Sequence, residues 1–361
     1  MNARANRWII AAATASLIAG VALSHLIEPG LKVERVTLTG DTPGIHLGPT
    51  APGPHPVALL AHGASGSKES LFRYGEALAT AGFDSFVIDL PGHGASPLPF
   101  STHEVGLTPA KVGRALGSVD VYLGHSMGAG AGAVSVREAG FAPRLYIAVG
   151  ANPKLGEKGP PLLLLAGQFD EFVRPPALKA RTDARLVLSP WSDHVLELID
   201  PCLVNAAVEA ACGTVGKTPP AAPTFWLWRL AGLALGMSGA LALLFFAPKL
   251  RIQFARMRGF LFPAVVIIAL VLTTGTWFRW TPYLHRLPLQ LVLMAVLWLV
   301  LLGVGKLKLP RWSVVAVAAA VALVCVILAI CLGAFPLRFL SILAPITTCL
   351  LFAGTCLGWL A

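Results

Sequence analysis

Residues 123–132 read LGHSMGAGAG, and the fold of this chain turns on how they are read. Gly124-His125-Ser126-Met127-Gly128 fits G-x-S-x-G, a strained strand-to-helix turn that presents a serine hydroxyl at the top of a sheet. Small residues at four-residue spacing also mark close helix packing in membranes. The chain is 55% hydrophobic with 36 glycines, so both readings start level. Ser126 is a nucleophile or a spacer, and its surroundings decide.

Charge separates the chain into parts. All 18 Asp and Glu lie between Glu28 and Glu209, a segment that holds 14 Lys and Arg and so carries a net −4. From Lys217 to Ala361 there are 12 Lys and Arg and no acid; Arg4 and Arg7 supply the other two. A pI near 9.6 ordinarily suggests nucleic acid. Here the positive charge lies outside the acid-bearing segment, which argues against a nucleic-acid partner. A mean hydropathy of +0.71 with 13% charged residues instead implies membrane spans.

Arg4 and Arg7 precede an apolar run, Trp8–Leu23. It suits a signal peptide, with Ala22-Leu23-Ser24 as a cleavage site, or an uncleaved signal anchor, and both would export the downstream chain. From Lys32 to Gly213, short apolar runs such as PVALLAHG, FDSFVIDLPG, VDVYLGH, RLYIAVGAN and PLLLLAGQFD alternate with mixed helical segments. That pattern predicts a parallel sheet covered by helices, an α/β fold, with KVERVTLTG and GIHLG as earlier strands at the sheet edge. Thr218–Pro223 is a Pro/Ala linker.

Five apolar segments come next, near 225–247, 260–278, 289–304, 313–334 and 339–360. Their lengths predict an all-α membrane domain of about five helices. Basic loops after the first and third place both termini on the cytoplasmic side of the plasma (inner) membrane and the α/β domain outside. The expected organisation is 1–27 anchor or signal peptide, 28–216 extracytoplasmic domain, 217–224 linker and 225–361 membrane domain. Cys202 and Cys212 lie in the exported part, where oxidation is open to them. Asp200-Pro201 reads as an N-cap with proline at the first helical position, and ten residues along one helix is about 15 Å, too far for a disulfide.

Ser126 follows the strand-like VDVYL and precedes the small-residue stretch MGAGAGAVSVREAG. Gly124 and Gly128 would let that strand and helix approach closely, as the turn requires. Downstream come an acid and a histidine in the order this turn demands. Asp170 follows PLLLLAGQF, just past a strand end, where open α/β sheets place their sites. His194 follows ARLVLSPWSD, again in a loop before a helix. His194 can take the Ser126 proton while Asp170 fixes its tautomer. Asp170 can alternatively cap a helix from Val173, His194 can be a surface residue, and Glu171 and Asp193 are rival acids. The developing oxyanion needs two backbone N–H groups. Met127 and Ala64, the latter in His62-Gly63-Ala64-Ser65, are in position to supply them.

The combination HGASGSKESLFRYGEALATAGFDSFVIDLPGHGAS, GHSMGAGAG, GQFDEFV and SDHVLE resembles the α/β-hydrolase superfamily over roughly residues 32–213. The nearest members are serine esterases and monoacylglycerol-lipase-like or lysophospholipase-like enzymes. His62 is read as structural, bonding its own loop. The resemblance implies a Ser126–Asp170–His194 triad with Ala64 and Met127 as oxyanion donors, and structural roles for Asp89 and His93. Only 44 positions separate Ser126 from Asp170, so no substantial cap domain fits. The site is expected to be open, or covered by a loop near Pro97–Thr108 or by the membrane domain.

The expected function is a membrane-anchored serine hydrolase of carboxylic esters, with lipid esters as a substrate class and membrane lipids as partners. A peptidase or amidase, or an acyltransferase, would use the same triad. A transporter or receptor is the alternative outside enzymology, but the C-terminal segments carry no Asp or Glu for coupling. No metal site and no cofactor are expected, since acyl transfer by a triad needs neither and no ligand spacing, Walker loop or dinucleotide fingerprint appears.

Overall fold

The structure, a computed structural model, describes residues 3–64, 66–221 and 223–246. The apolar segments expected at 260–278, 289–304, 313–334 and 339–360 lie outside the described residues.

Helix α1 (Ala3–Ser24) leads to an antiparallel hairpin of β1 (Leu31–Leu38) and β2 (Thr42–Pro49). Strands and helices then alternate: β3 (Val57–Ala61), α2 (Phe72–Thr80), β4 (Asp84–Ile88), α3 (Thr102–Leu116), β5 (Val121–His125), α4 (Met127–Ala139) and β6 (Leu145–Val149). After β7 (Leu162–Gly167) come α5 (Pro175–Lys179), β8 (Arg185–Ser189), α6 (Pro201–Val215) and α7 (Phe225–Phe246). The strands form one sheet in the order β1-β2-β4-β3-β5-β6-β7-β8. Strand β2 runs antiparallel to both neighbours, and β3 to β8 are parallel. This is an α/β-hydrolase-like arrangement. Strand β1 forms one edge, and β2 sits one place in.

Parallel strands covered on both faces must be apolar on both, which is why they read as unbroken hydrophobic runs. Side chains alternate between the faces. Leu59, Tyr122, Tyr146 and Leu164 enter the core cluster with α3 and α4 residues such as Val112, Ala129 and Ala133. Their neighbours Leu60, Leu123, Ile147 and Leu165 are fully buried too, on the opposite face, where α2 and α6 pack on each other. Asp200 caps α6 by accepting from Cys202 N–H at 2.7 Å, with Pro201 leading the helix. Both Cys202 and Cys212 are free, on this one helix.

The expected covering loop needs correction. Most of the segment expected as a covering loop, Pro97–Thr108, is the start of α3, with Ser101 accepting from Glu104 N–H at its N-cap. Pro109 within a helix disrupts the backbone ladder, which obscures the element in the sequence. The partly freed groups are captured from α4: Ser135 Oγ accepts from Ala110 N–H at 3.0 Å and donates to Gly106 O at 2.6 Å. Between β6 and β7 the chain forms no helix, so no cap is built there.

The chain divides into two compact units, one of them holding Ile27–Thr224 apart from α1 and α7. In the other, α1 packs on α7 through small residues: a Cβ on Gly20 would strike the Gly236 backbone, and Ser16 Oγ donates to Leu235 O at 2.9 Å. Trp8, Ile18, Leu227, Trp228 and Leu235 remain exposed. Among the described residues no helix is long and apolar enough to cross a membrane. The anchor expected at Trp8–Leu23 and the span expected at 225–247 are therefore not supported by the structure.

Candidate active site

Strand β5 ends at His125 and α4 begins at Met127, so Ser126 alone turns the chain. Its backbone has φ 50° and ψ −113°, a region a residue with a side chain enters only where its surroundings force it. Several contacts do so. Ser126 N–H bonds Val149 O at 2.9 Å. Tyr122 Oη donates to Gly128 O at 2.7 Å, and Tyr146 Oη to Ala129 O, fixing the first turn of α4 from the sheet. A Cβ on Gly124 would collide with Ala129, and one on Gly128 with the Ala61 carbonyl oxygen. The two glycines thus permit strand and helix to meet at the serine.

Ser126, Asp170 and His194 come together across 68 and 24 residues of sequence. His194 Nε2 lies 3.0 Å from Ser126 Oγ, and His194 Nδ1 lies 3.1 Å from Asp170 Oδ2. Asp170 Oδ1 accepts from Phe172 and Val173 N–H at 2.8 and 2.9 Å, so the residue orders its own loop and also meets the histidine. Burial pushes the Asp170 carboxyl up, but the Val173 N–H, the His194 bond and the Phe172 N–H outweigh it and hold the group below its ordinary value. The rival acids stand elsewhere. Glu171 is exposed, and Asp193 Oδ1 accepts from Val195 and Leu196 N–H.

Met127 N–H opens α4, where the helix offers no acceptor of its own. Ala64 is exposed and follows Gly63. A Cβ on Gly63 would stand 2.6 Å from His125 Nδ1 and 3.1 Å from Ser126 Cβ, which brings the loop after β3 against the serine. His62 is buried and spends both ring nitrogens locally: Nδ1–H donates to Gly63 O at 2.7 Å and Nε2 accepts from Leu90 N–H at 3.1 Å. Burial first, then the nearby His93, lowers its pKa to about 3, so it is neutral. Asp89 is buried and accepts from Lys68 N–H, Lys68 Nζ and Ala95 N–H at 2.7, 2.5 and 2.8 Å. His93 Nδ1–H donates to Pro91 O at 3.0 Å.

Three further side chains pack around Ser126, Asp170 and His194, and the sequence singles out neither Phe172 nor Glu197. His125 is buried beneath it, its Nε2–H donating to His194 O at 3.1 Å; burial and then His194 lower its pKa to about 3. Phe172 lays its ring 4.7 Å from that of His194. Glu197, buried three residues after the histidine, brings Oε2 to 4.0 Å from His194 Nδ1. Only an acid amid the apolar VLELI hints at it. His125, His194 and Glu197 have donor atoms within 4.8 Å of one another. A metal there would compete with the bonds His125 Nε2 and His194 Nδ1 already make. Phe169, Phe172, Trp191, Val195 and Leu196 are exposed on the two loops that carry Asp170 and His194.

No family model matches this chain, and no curated protein matches its sequence. Similar solved structures include a membrane phospholipase A described as a bacterial virulence factor, at 16% identity and a TM-score of 0.42 over 57% of this chain and 92% of that one. Another is a thermophilic esterase from Thermogutta terrifontis, at 16% and 0.41 over 51% and 99%. A third is Est1E from Butyrivibrio proteoclasticus with ferulic acid bound, at 18% and 0.42 over 51% and 100%.

Proposed function

We propose that this chain is a serine hydrolase of carboxylic esters, working through an acyl-enzyme on Ser126. The observation that carries the reading is the continuous relay Ser126 Oγ–His194 Nε2 and His194 Nδ1–Asp170 Oδ2, at 3.0 and 3.1 Å, on a serine held at φ 50°. Ser126 Oγ attacks the ester carbonyl carbon as its proton passes to His194 Nε2, and Asp170 stabilises the resulting imidazolium. The carbonyl oxygen takes the negative charge facing the N–H groups of Met127 and Ala64. As the tetrahedral centre collapses, the C–O bond to the alcohol breaks and His194 returns the proton to the leaving oxygen. A water then repeats the sequence on the acyl-enzyme and frees the acid.

The apolar rim of Phe169, Phe172, Trp191, Val195 and Leu196 supports an acyl substrate of lipid type, since a cluster of this kind on a soluble surface marks a binding face. Attachment to the plasma (inner) membrane, with the α/β domain outside, is part of the same reading. Its support is the apolar sequence beyond Phe246, with basic residues between its segments and no acid. The test is a substrate panel on the wild-type chain and Ser126→Ala. Hydrolysis of monoacylglycerols or lysophospholipids in preference to short water-soluble esters is expected, and Ser126→Ala should abolish both. Exclusive turnover of short esters would sink the lipid part.

A further inference from the structure

Glu197 is fully buried, and ester hydrolysis by the triad leaves it without a task. It sits in a short 3₁₀ turn, Leu196–Leu198, immediately after His194. Its Oε1 accepts from Gly167 N–H at 2.5 Å. Gly167 ends β7, the strand whose loop carries Asp170, and Gly167 O accepts from Asp170 N–H. The other oxygen, Oε2, receives no N–H or O–H donor among the described residues. It lies 4.0 Å from His194 Nδ1 and 3.9 Å from His125 Nε2. Space for it is made by Gly150 at φ 56°, where a Cβ would collide with Oε2 and come within 2.9 Å of the His194 ring. Tyr74 Oη on α2 holds the turn from below by donating to Glu197 O at 2.9 Å.

We propose that Glu197 is a positioning residue for the triad, its carboxyl tying the strand end that bears the acid to the turn that bears the base and setting the ring of His194. The inference rests on the triad reading of Ser126, His194 and Asp170. The groups that face Glu197 are Asp170 from the β7 loop, His125 from the end of β5, Asp193 and His194 from its own loop, and Tyr74 from α2. Burial first, then the charge of Asp170, a hydrogen bond to the Asp170 carboxylate and the charge of Asp193, push the carboxyl up to about 9 against the pull of Gly167 N–H. At neutral pH it is therefore a carboxylic acid, with a proton on the oxygen that faces the Asp170–His194 pair. It adds no second charge there, so the imidazolium formed during attack is oriented by Asp170 alone. Ionisation of Glu197 would put a rival carboxylate beside His194 Nδ1 and disturb that alignment.

The experiment compares Glu197→Gln, Glu197→Ala and Ser126→Ala with the full wild-type chain, using a p-nitrophenyl ester as probe across a pH range from about 6 to about 10 that brackets the Glu197 ionisation. Glutamine is isosteric and stays neutral, so Glu197→Gln should keep kcat near wild type at neutral pH and lack the alkaline fall in kcat expected of wild type near pH 9 as Glu197 ionises. Glu197→Ala should lower kcat by roughly tenfold to a hundredfold, the scale of a small misalignment, with KM little changed. Because alanine also strips a buried N–H of its acceptor, its fold is checked by thermal melting, and Glu197→Gln decides if it fails. The same alkaline fall in Glu197→Gln as in wild type would overturn the proposal, as would wild-type kcat in a folded Glu197→Ala. Activity surviving in Ser126→Ala would instead overturn the triad reading, a separate outcome.

Discussion

Two clusters of buried ionisable side chains sit at the C-terminal ends of the parallel strands, and they are built differently. At the ends of β3 and β4, Asp89 takes three hydrogen bonds from Lys68 and Ala95, and both His62 nitrogens are used by backbone groups. At the ends of β5, β7 and β8 the serine is strained, one Glu197 oxygen receives no donor among the described residues, and the chain of bonds ends on a half-buried hydroxyl. The first cluster is satisfied and holds the loop next to the site. The second keeps a buried carboxyl oxygen that no donor reaches and a strained backbone, features that persist only where the surrounding fold imposes them.

Substitutions can break this contrast, beginning with the largest effect. Asp170→Asn should lower kcat by about 10⁴-fold by losing control of the His194 tautomer, while the melting temperature changes little because asparagine Oδ1 can still accept from Phe172 and Val173. Rate and melting are measured on the same preparation, and a large melting shift with modest rate loss would reverse the assignment of roles. Asp89→Ala should do the opposite. It removes the nearer of the two carboxylates that hold the buried Lys68 ammonium, leaving Glu69 at 3.5 Å, a loss of about 3–5 kcal/mol in stability, read by chemical denaturation. An effect under about 1 kcal/mol would show that the cluster is not structural.

Acid pH bears on both clusters at once. His62 and His125 are held neutral, with pKa lowered to about 3 from 6.5 by burial. The unfolded chain binds their protons first. Their contribution to stability is thus complete above about pH 6.5 and is lost progressively as pH falls toward about 3, by on the order of 1 kcal/mol per pH unit for each. The melting temperature should drop steeply between about pH 7 and about pH 4, and His125→Gln should make the slope shallower. A melting temperature flat across that range would contradict the neutral assignment.

The sheet was legible because doubly covered parallel strands leave apolar runs such as PLLLLAG between turns. The strained turn at Ser126 was legible because the sterics at Gly124, Ser126 and Gly128 admit few residue types. Asp170 and His194 could be located because each follows a strand in the order the turn demands. Glu197 could not, since its burial depends on Gly167 and Gly150, respectively 30 and 47 positions away, and nothing in VLELI reports them. Helix α3 was hidden in part by Pro109, whose disruption is repaired by Ser135 from another helix.

The most direct test of the central claim is covalent labelling of the native chain with a fluorophosphonate, followed by mass mapping of the adduct. One phosphonyl group on the peptide containing Ser126, blocked in both Ser126→Ala and His194→Ala, is the predicted result. Labelling at another residue, or undiminished labelling of Ser126→Ala, would contradict the account.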